Sequence, residues 1–259
     1  MRTREKVLKE KKRGRDGSGT GSPCKSSSKS VERAFDAISR EWDKSRRLPH
    51  KAFPFFVAEF SRRLAGKKRS SKAVRVLDAG CGNCRNAIAL CELFPCVKAY
   101  CLDFSAGMLH VAKERISAHP EAMRRCFLRM ASVEKLPYAD GFFDSIMCFA
   151  VLHHLSSPAK RYRAFREIRR VLSKGGFAFV TVWARGDKKA GTDFFEQFPV
   201  GKGGGPKRYY HLFSEKELRR LCTGAGLLVA SLFHESKGNL CGPRAKLLRR
   251  NLCLVLERK

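Results

Sequence analysis

The sequence predicts an α/β protein built on a doubly wound, mostly parallel sheet of seven strands with helices on both faces. Three observations carry this reading. Val74-Arg75-Val76-Leu77-Asp78-Ala79 is a short, largely apolar run, as a strand covered on both faces requires, and it leads straight into Gly80-Cys81-Gly82. Asp103 closes the next apolar run, 97–102, and stands 23 residues after Gly80. That interval is close to the roughly 20 at which a carboxylate can reach ribose hydroxyls. From there to the end of the chain, apolar runs alternate with amphipathic stretches, which is the order of a wound sheet.

Taken in order, residues 1–30 are rich in Lys, Arg, Gly and Ser and carry almost no large apolar side chains. Such a stretch cannot bury a core and is expected to be a disordered basic tail ahead of one domain, 31–259. Its Lys9–Arg15 run suits nuclear localisation, RNA contact or plain solvation equally. Phe35, Ile38 and Trp42 recur at helical spacing from Val31, and Arg46 and Arg47 follow before Pro49 breaks the pattern. A second helix, about 53–64, carries Phe55, Phe56 and Phe60, which suit either a core face or a lid. After a basic linker at 66–72 come strand 74–79, helix 84–94, strand 97–102, helix 106–117 and strand 126–130. Strand 145–150 follows, then a helix from Pro158 expected to stop at Gly175-Gly176, and strand 177–183. The polar, glycine-rich segment 185–207 reads as a flexible insertion rather than a β/α element. Ser214 with Glu217 marks a last helix start, and strands 227–232 and 251–257 close the sheet as an antiparallel pair.

Net charge is +30, of which the first thirty residues supply +7, so the folded part is itself strongly basic at +23. That excess points to a polyanion, nucleic acid before membrane. No run approaches the roughly 18 apolar residues that span a bilayer. Eleven cysteines, an odd number with several inside apolar strands, fit free thiols in a reducing compartment, taken as the cytoplasm with the nucleus as a second destination. Cys81-x-x-Cys84 has metal or redox spacing, but no second pair follows at zinc-ribbon distance, so no metal site is expected.

Asp-x-Gly-Cys-Gly with its follow-on Asp103 resembles the class I S-adenosylmethionine (SAM) methyltransferases, with their Rossmann-like fold, more than the dinucleotide dehydrogenases. In that fold ligands sit beyond the carboxyl ends of the strands. Asp78, Gly80, Gly82, Asp103 and Phe104 would bind the cofactor, Ser132 and Val133 would meet the adenine, and Ala150 with Val151 would face the methyl-bearing sulfur. Beside them stand His153 and His154, and Arg208-Tyr209-Tyr210-His211 returns to the same rim after the insertion. Arg with Tyr suits a carboxylate or phosphate, since the guanidinium fork binds it bidentately and a phenol adds a bond.

The resemblance becomes specific when the motifs are read together. Phe35-Asp36-x-Ile38-x-x-x-Trp42-x-x-Ser45-Arg46, Leu77-Asp78-Ala79-Gly80-Cys81-Gly82-Asn83 and Ala150-Val151-Leu152-His153-His154-Leu155 stand in order, followed by Val182-Trp183-Ala184 and Arg208-Tyr209-Tyr210-His211-x-Phe213. The set resembles the eukaryotic tRNA wobble-uridine carboxymethyl methyltransferases over roughly 31–257. This implies SAM-dependent esterification of 5-carboxymethyluridine in tRNA, with Arg46, His153 and Arg208 at the substrate and Tyr209 and His154 beside them. It also implies a small zinc-binding activator subunit. Independently, strand 126–130 is apolar and would be a sheet edge, which invites strand addition.

Three positions depart from the family pattern. Cys84 replaces a glycine, Ser132 replaces an acid at the adenine edge, and Arg47-Leu48-Pro49-His50 replaces Pro-Trp-Pro. These leave two other readings: a methyltransferase of small molecules, and an RNA-binding protein that keeps the fold without turnover.

Overall fold

A computed structural model describes residues 28–66, 72–185, 192–200, 204–241 and 251–258. The predicted basic tail lies outside these residues except for its last three, as does most of the 66–72 linker.

The elements run α1 (Ser28–Ser45), α2 (Phe53–Ala65), β1 (Val74–Ala79), α3 (Arg85–Leu93), β2 (Val97–Asp103) and α4 (Ala106–Ser117). Next come α5 (Pro120–Arg125), β3 (Cys126–Met130), β4 (Phe143–Phe149), a single 3₁₀ turn at Leu152–His154, α6 (Pro158–Val171) and β5 (Leu172–Trp183). The chain closes through β6 (Asp193–Gln197), β7 (Lys207–His211), α7 (Glu215–Gly224), β8 (Leu228–Ser236), β9 (Asn239–Cys241) and β10 (Asn251–Glu257).

The main sheet has the order β3-β2-β1-β4-β5-β10-β8-β9. Its first five strands are parallel, and β10 then pairs antiparallel with both β5 and β8. The doubly wound class is therefore the one the alternating pattern predicts. The sheet carries eight strands rather than seven, because the chain turns at Lys237-Gly238 and adds the three-residue β9. Phe165, Ile168, Leu218 and Leu221 of α6 and α7 pack on one face of the sheet. Phe56, Phe60, Ile88, Leu90 and Ile116 of α2, α3 and α4 pack on the other. Phe56 and Phe60 are buried and stack against Phe177, so the aromatics of α2 are core and not a lid.

Two sequence expectations need correction. The helix from Pro158 ends at Val171, not at the glycine pair; Leu172 is already extended and pairs with Phe143. Gly175, at φ +71°, lies in an irregularity of β5, where a left-handed residue bends the strand without ending a helix. The segment 185–207 is not a featureless insertion either. Asp193–Gln197 forms β6 and pairs antiparallel with Lys207–His211, as a small second sheet. Asp-Phe-Phe-Glu-Gln has only weak strand character alone, and its partner's aromatic side chains fix it.

Candidate active site

One cleft opens at the carboxyl ends of β1, β2 and β4, a second lies between α1, the end of β5 and the β6–β7 hairpin, and Trp42 of α1 lines both. The first is built largely from backbone. Gly80 sits at φ +76°, and a Cβ there would lie 2.3 Å from Cγ2 of Val151, so only glycine fits. The N–H groups of Gly80 and Cys81 donate to the Leu102 carbonyl at 2.7 and 2.9 Å, which ties the turn to the end of β2. Gly82 N–H donates to Asp103 Oδ2 at 2.8 Å, and Ser105 N–H donates to Oδ1 at 3.0 Å. Burial raises the Asp103 carboxyl to about 6 while those backbone donors pull it back down. Asp78 is buried beneath the turn, and its Oδ2 has no partner among the described residues. Burial first, and then the neighbouring Asp103 charge, push Asp78 up to about 7.

Phe104, Ser132, Val133 and Ala150 line the same cleft as Gly80, Gly82 and Asp103. Ser132 Oγ accepts from Glu134 N–H at 3.2 Å, which fixes a turn at the cleft wall. Ala150 is held at φ 59°, with its N–H donating to the carbonyl and Oγ1 of Thr181 at 3.1 and 3.0 Å. A left-handed alanine costs about 1 kcal/mol, and such strain clusters where geometry matters. Cys84, at φ 58°, caps α3 without a side-chain bond. Its side chain is fully buried beside Cys81 and Cys101 and does not line the cleft.

Helix α1 closes this cleft. Val31, Phe35 and Trp42 line it, Asp36 Oδ1 accepts from Ser105 Oγ at 2.6 Å and Gly107 N–H at 2.9 Å, and Asn83 Nδ2 donates to Asp43 Oδ1 at 2.8 Å. From the sequence, Phe35 and Trp42 are visible only as one face of a helix; that this face covers a site is a tertiary fact.

The second cleft encloses about 470 Å³ and is lined by Arg46, Trp183, Glu196, Phe198, Arg208 and Tyr210 among others. Arg208 is buried, and its Nε and Nη1 have no hydrogen-bond partner among the described residues. Four rings surround its guanidinium: Phe198 at 4.9 Å, Tyr210 at 5.3 Å, Trp42 at 5.5 Å and Phe35 at 5.7 Å. Burial draws its pKa below the ordinary value, and the charge of Arg46 adds to this. Cation–π contact offsets part of the desolvation of a charge, yet two of its donors stay unmet. Glu196 and Tyr210 on the same wall counter part of the effect of burial. Arg46 lies over Trp42 at 5.0 Å on the same wall, exposed to solvent.

Of the remaining predicted substrate residues, His154 lines the first cleft. Its Nδ1 lies 2.9 Å from the Tyr209 carbonyl, so Nδ1 donates and Nε2 is left as an acceptor. Burial lowers its pKa to about 3, so the ring is neutral. His153 and Tyr209 are corrections, because neither side chain lines either cleft. His153 is buried beneath Trp183 and Tyr210, where its Nδ1 accepts from Trp183 N–H at 3.3 Å, and burial holds its pKa well below the ordinary value. Tyr209 Oη donates to Asp193 Oδ1 at 2.7 Å. Strand alternation explains the exchange: Arg208 and Tyr210 face the cleft, so Tyr209 between them faces away. Trp183, Glu196 and Phe198 are lining residues the sequence reading missed; Trp183 had a signal in its motif, while Glu196 and Phe198 fell in the supposed insertion.

The first cleft fits SAM on the chemistry of its donors. A glycine cradle leaves room for the methionyl backbone, and Asp103 is fixed where ribose hydroxyls can donate to it; Asp78, also expected to bind the cofactor, lies beneath the turn and does not line the cleft.

Residues 77–180 match a family described as the methyltransferase domain. A protein of Encephalitozoon cuniculi, provisionally named a methyltransferase, is 32% identical over 212 residues, 77% of this chain and 87% of that one. The tRNA (carboxymethyluridine(34)-5-O)-methyltransferase of Arabidopsis thaliana is 28% identical over 60% of this chain, a match that spans only 33% of its own length. Among solved structures, the glycopeptide N-methyltransferase MtfA complexed with SAM superposes with a TM-score of 0.59 at 14% identity, over 78% of this chain and 92% of its own. A methyltransferase in complex with the Haloferax volcanii Trm112 methyltransferase activator gives 0.58 at 16% identity, over 88% and 97%. At these identities the structural likeness is one of fold. Fold, glycine turn and sequence match agree: the chain belongs to the methyltransferase-domain family and carries the class I SAM-dependent fold.

Proposed function

We propose that the protein esterifies the carboxylate of 5-carboxymethyluridine at the wobble position of tRNA. The observation that carries this reading is Arg208, a buried guanidinium with two unmet donors and a ring of four aromatic side chains, opening on the cleft that Arg46 also lines. Two guanidinium groups suit a carboxylate, and the flat faces of Trp183 and Tyr210, stacked at 4.4 Å, suit a nucleobase. The Arabidopsis relative bears a name with this activity, and the net charge of +30 suits a tRNA.

In this reading Gly80, Gly82, Asp103, Phe104, Ser132, Val133 and Ala150 hold SAM, with Asp78 beneath the turn. When bound, SAM supplies an electrophilic methyl group on a sulfonium. A carboxylate is ionised at neutral pH, so its oxygen needs no general base, and none is required of His154. Arg208 and Arg46 orient the carboxylate, while Phe35 and Trp42 exclude water from the junction of the clefts. Catalysis is then chiefly positioning. His153 and Tyr209 act one step back: His153 supports Trp183 and Tyr210, and Tyr209 fixes β6 against β7 through Asp193.

A small activator subunit completes the proposal. Strand β3 is one edge of the main sheet, with no further strand beside it among the described residues, and Met123, Phe127 and Met130 on it and on α5 are exposed. An apolar edge of this kind suits strand addition, and a fold relative was solved with the Trm112 activator.

The test is methyl transfer from labelled SAM to tRNA carrying carboxymethyluridine, with and without an activator, followed by mass analysis of the digested nucleosides. The expected product is the methyl ester at the wobble position. Transfer to small carboxylic acids but not to tRNA would replace this reading with a small-molecule one. Binding of tRNA without transfer under either condition would replace it with an inactive RNA-binding protein.

A further inference from the structure

Arginines on the two faces of the sheet differ in their partners. On the face of α2, α3 and α4, and on α1 and α5 beside it, Arg40 binds Glu114, Arg62 and half-buried Arg63 bind Glu59, and half-buried Arg125 binds Glu121, while the exposed Arg33 and Arg124 have no carboxylate partner among the described residues. On α6 of the other face Arg163 binds Glu134 and Arg170 binds Glu167. On the opposite face, Arg166 and Arg169 of α6 and Lys216, Arg219 and Arg220 of α7 are all exposed, and none has a carboxylate partner among the described residues. The acids of these helices are turned elsewhere. Glu167 binds Arg170, Glu215 binds His234, and Glu217 binds His211.

The two helices present these cations as one surface. Tyr162 Oη of α6 donates to the Gly224 carbonyl at the end of α7 at 2.9 Å, and Arg169 Nε donates to the Gly226 carbonyl at 3.2 Å. Residues 162, 166 and 169 share one face of α6 and 216, 219 and 220 share one face of α7, by helical spacing. Like charges gathered on one surface repel, a cost that interleaved acids would reduce. The surface adjoins both sites. Lys160 at the start of α6 lines the first, cofactor cleft, and Glu217 in the first turn of α7 binds His211 of β7, the strand that carries Arg208, at 2.9 Å.

We infer that the outward face of α6 and α7 is a docking surface for the phosphate backbone of an RNA helix, reached by the same molecule whose nucleotide enters the Arg208 cleft. This rests on the tRNA reading above for the identity of the RNA, but its measurement requires no turnover. Phosphate contacts release counterions, so affinity falls with salt at a slope near −0.9 per phosphate neutralised. Each arginine removed from such a surface lowers that slope by about one.

The experiment is fluorescence-anisotropy titration of a tRNA transcript at salt concentrations between about 50 and 200 mM. It compares wild type with the variant Arg166→Gln/Arg169→Gln/Arg219→Gln/Arg220→Gln and with a control, Lys98→Gln/Lys113→Gln, on other exposed parts of the molecule. Melting temperature and SAM affinity report whether the fold is kept. The surface predicts a salt slope shallower by about four and an affinity at least tenfold weaker for the quadruple variant, with the control like wild type. A folded quadruple variant with wild-type slope overturns it, as does a control that loses as much. Binding of wild type to phosphatidylserine vesicles in place of tRNA overturns it too. Retained tRNA binding without methyl transfer would leave the surface standing while removing the esterification reading.

Discussion

The glycine turn and the β6–β7 hairpin face each other across Trp42 and solve opposite problems. The turn binds through main chain. Its N–H groups are committed to Leu102 and Asp103, its glycines are there to be small, and little of its character depends on distant sequence. The hairpin binds through side chains brought together from α1, β5, β6 and β7, and its central group, Arg208, is left short of partners. The turn's N–H groups are satisfied before a ligand arrives, while two donors of Arg208 are not. The lesson is that the part common to many methyltransferases is locally encoded, while the part that would choose a substrate is assembled over distance.

The sharpest test of the turn is Gly80→Ala. A left-handed alanine costs about 1–2 kcal/mol and the overlap with Val151 about 1–3 more, so SAM affinity should fall by about a hundredfold in calorimetric titration. An unchanged affinity would show that the backbone cradle does not hold the cofactor. For the hairpin, Arg208→Met should depress kcat/KM for tRNA by about a hundredfold, the loss of charge-assisted bonds at about 1.5–3 kcal/mol each, while SAM affinity stays the same. Its melting temperature without substrate should equal or exceed that of wild type, because the change removes a buried charge with unmet donors. A marked loss of stability would mean that Arg208 is structural and that the contrast with the turn fails.

A pH series separates the regions further, by about a factor of ten. Asp103, at about 6, accepts from a ligand fully only once ionised, and Asp78, at about 7, places a negative charge beneath the turn only once ionised. SAM affinity should therefore rise as pH increases through 6 to 7, and Asp78→Asn should flatten the curve. Stability of the ligand-free protein has the opposite sign. Both folded values lie above the unfolded carboxylate value of about 4, so folding takes up protons and stability declines as pH rises across that window. Thermal melts over the same series check this. The smallest effect is expected of Cys84→Gly. Relief of a left-handed side chain and loss of a small buried thiol offset each other at about 1 kcal/mol each, so melting temperature should move by no more than a few degrees and SAM affinity not at all.

The comparison also explains how much could be read in advance. The sheet, its order of strands and helices, and the residues of the cofactor cleft follow from short apolar runs and glycine positions, which act over a few residues. Gly175 misled because a left-handed glycine ends a helix or bends a strand with equal ease, and only the pairing of Leu172 with Phe143 decides between them. His153 and Tyr209 misled for a related reason. Their residue types suit a substrate site, but which side of a strand or turn they occupy depends on Trp183 and Asp193, which come from distant segments. The hairpin was hidden because Asp193–Gln197 becomes a strand only opposite Lys207–His211.

The sheet edge at β3 has a consequence for the life of the chain outside any test tube. Met123, Phe127 and Met130 sit beside a row of backbone groups with no further strand beside them among the described residues, which two copies of this protein can satisfy for one another as readily as a true partner can. Self-association of that kind grows with the square of concentration. If the proposed activator subunit pairs with this edge, a cell that makes the protein faster than the activator would accumulate an orphan, and activator supply would set how much of the protein persists as well as how well it works.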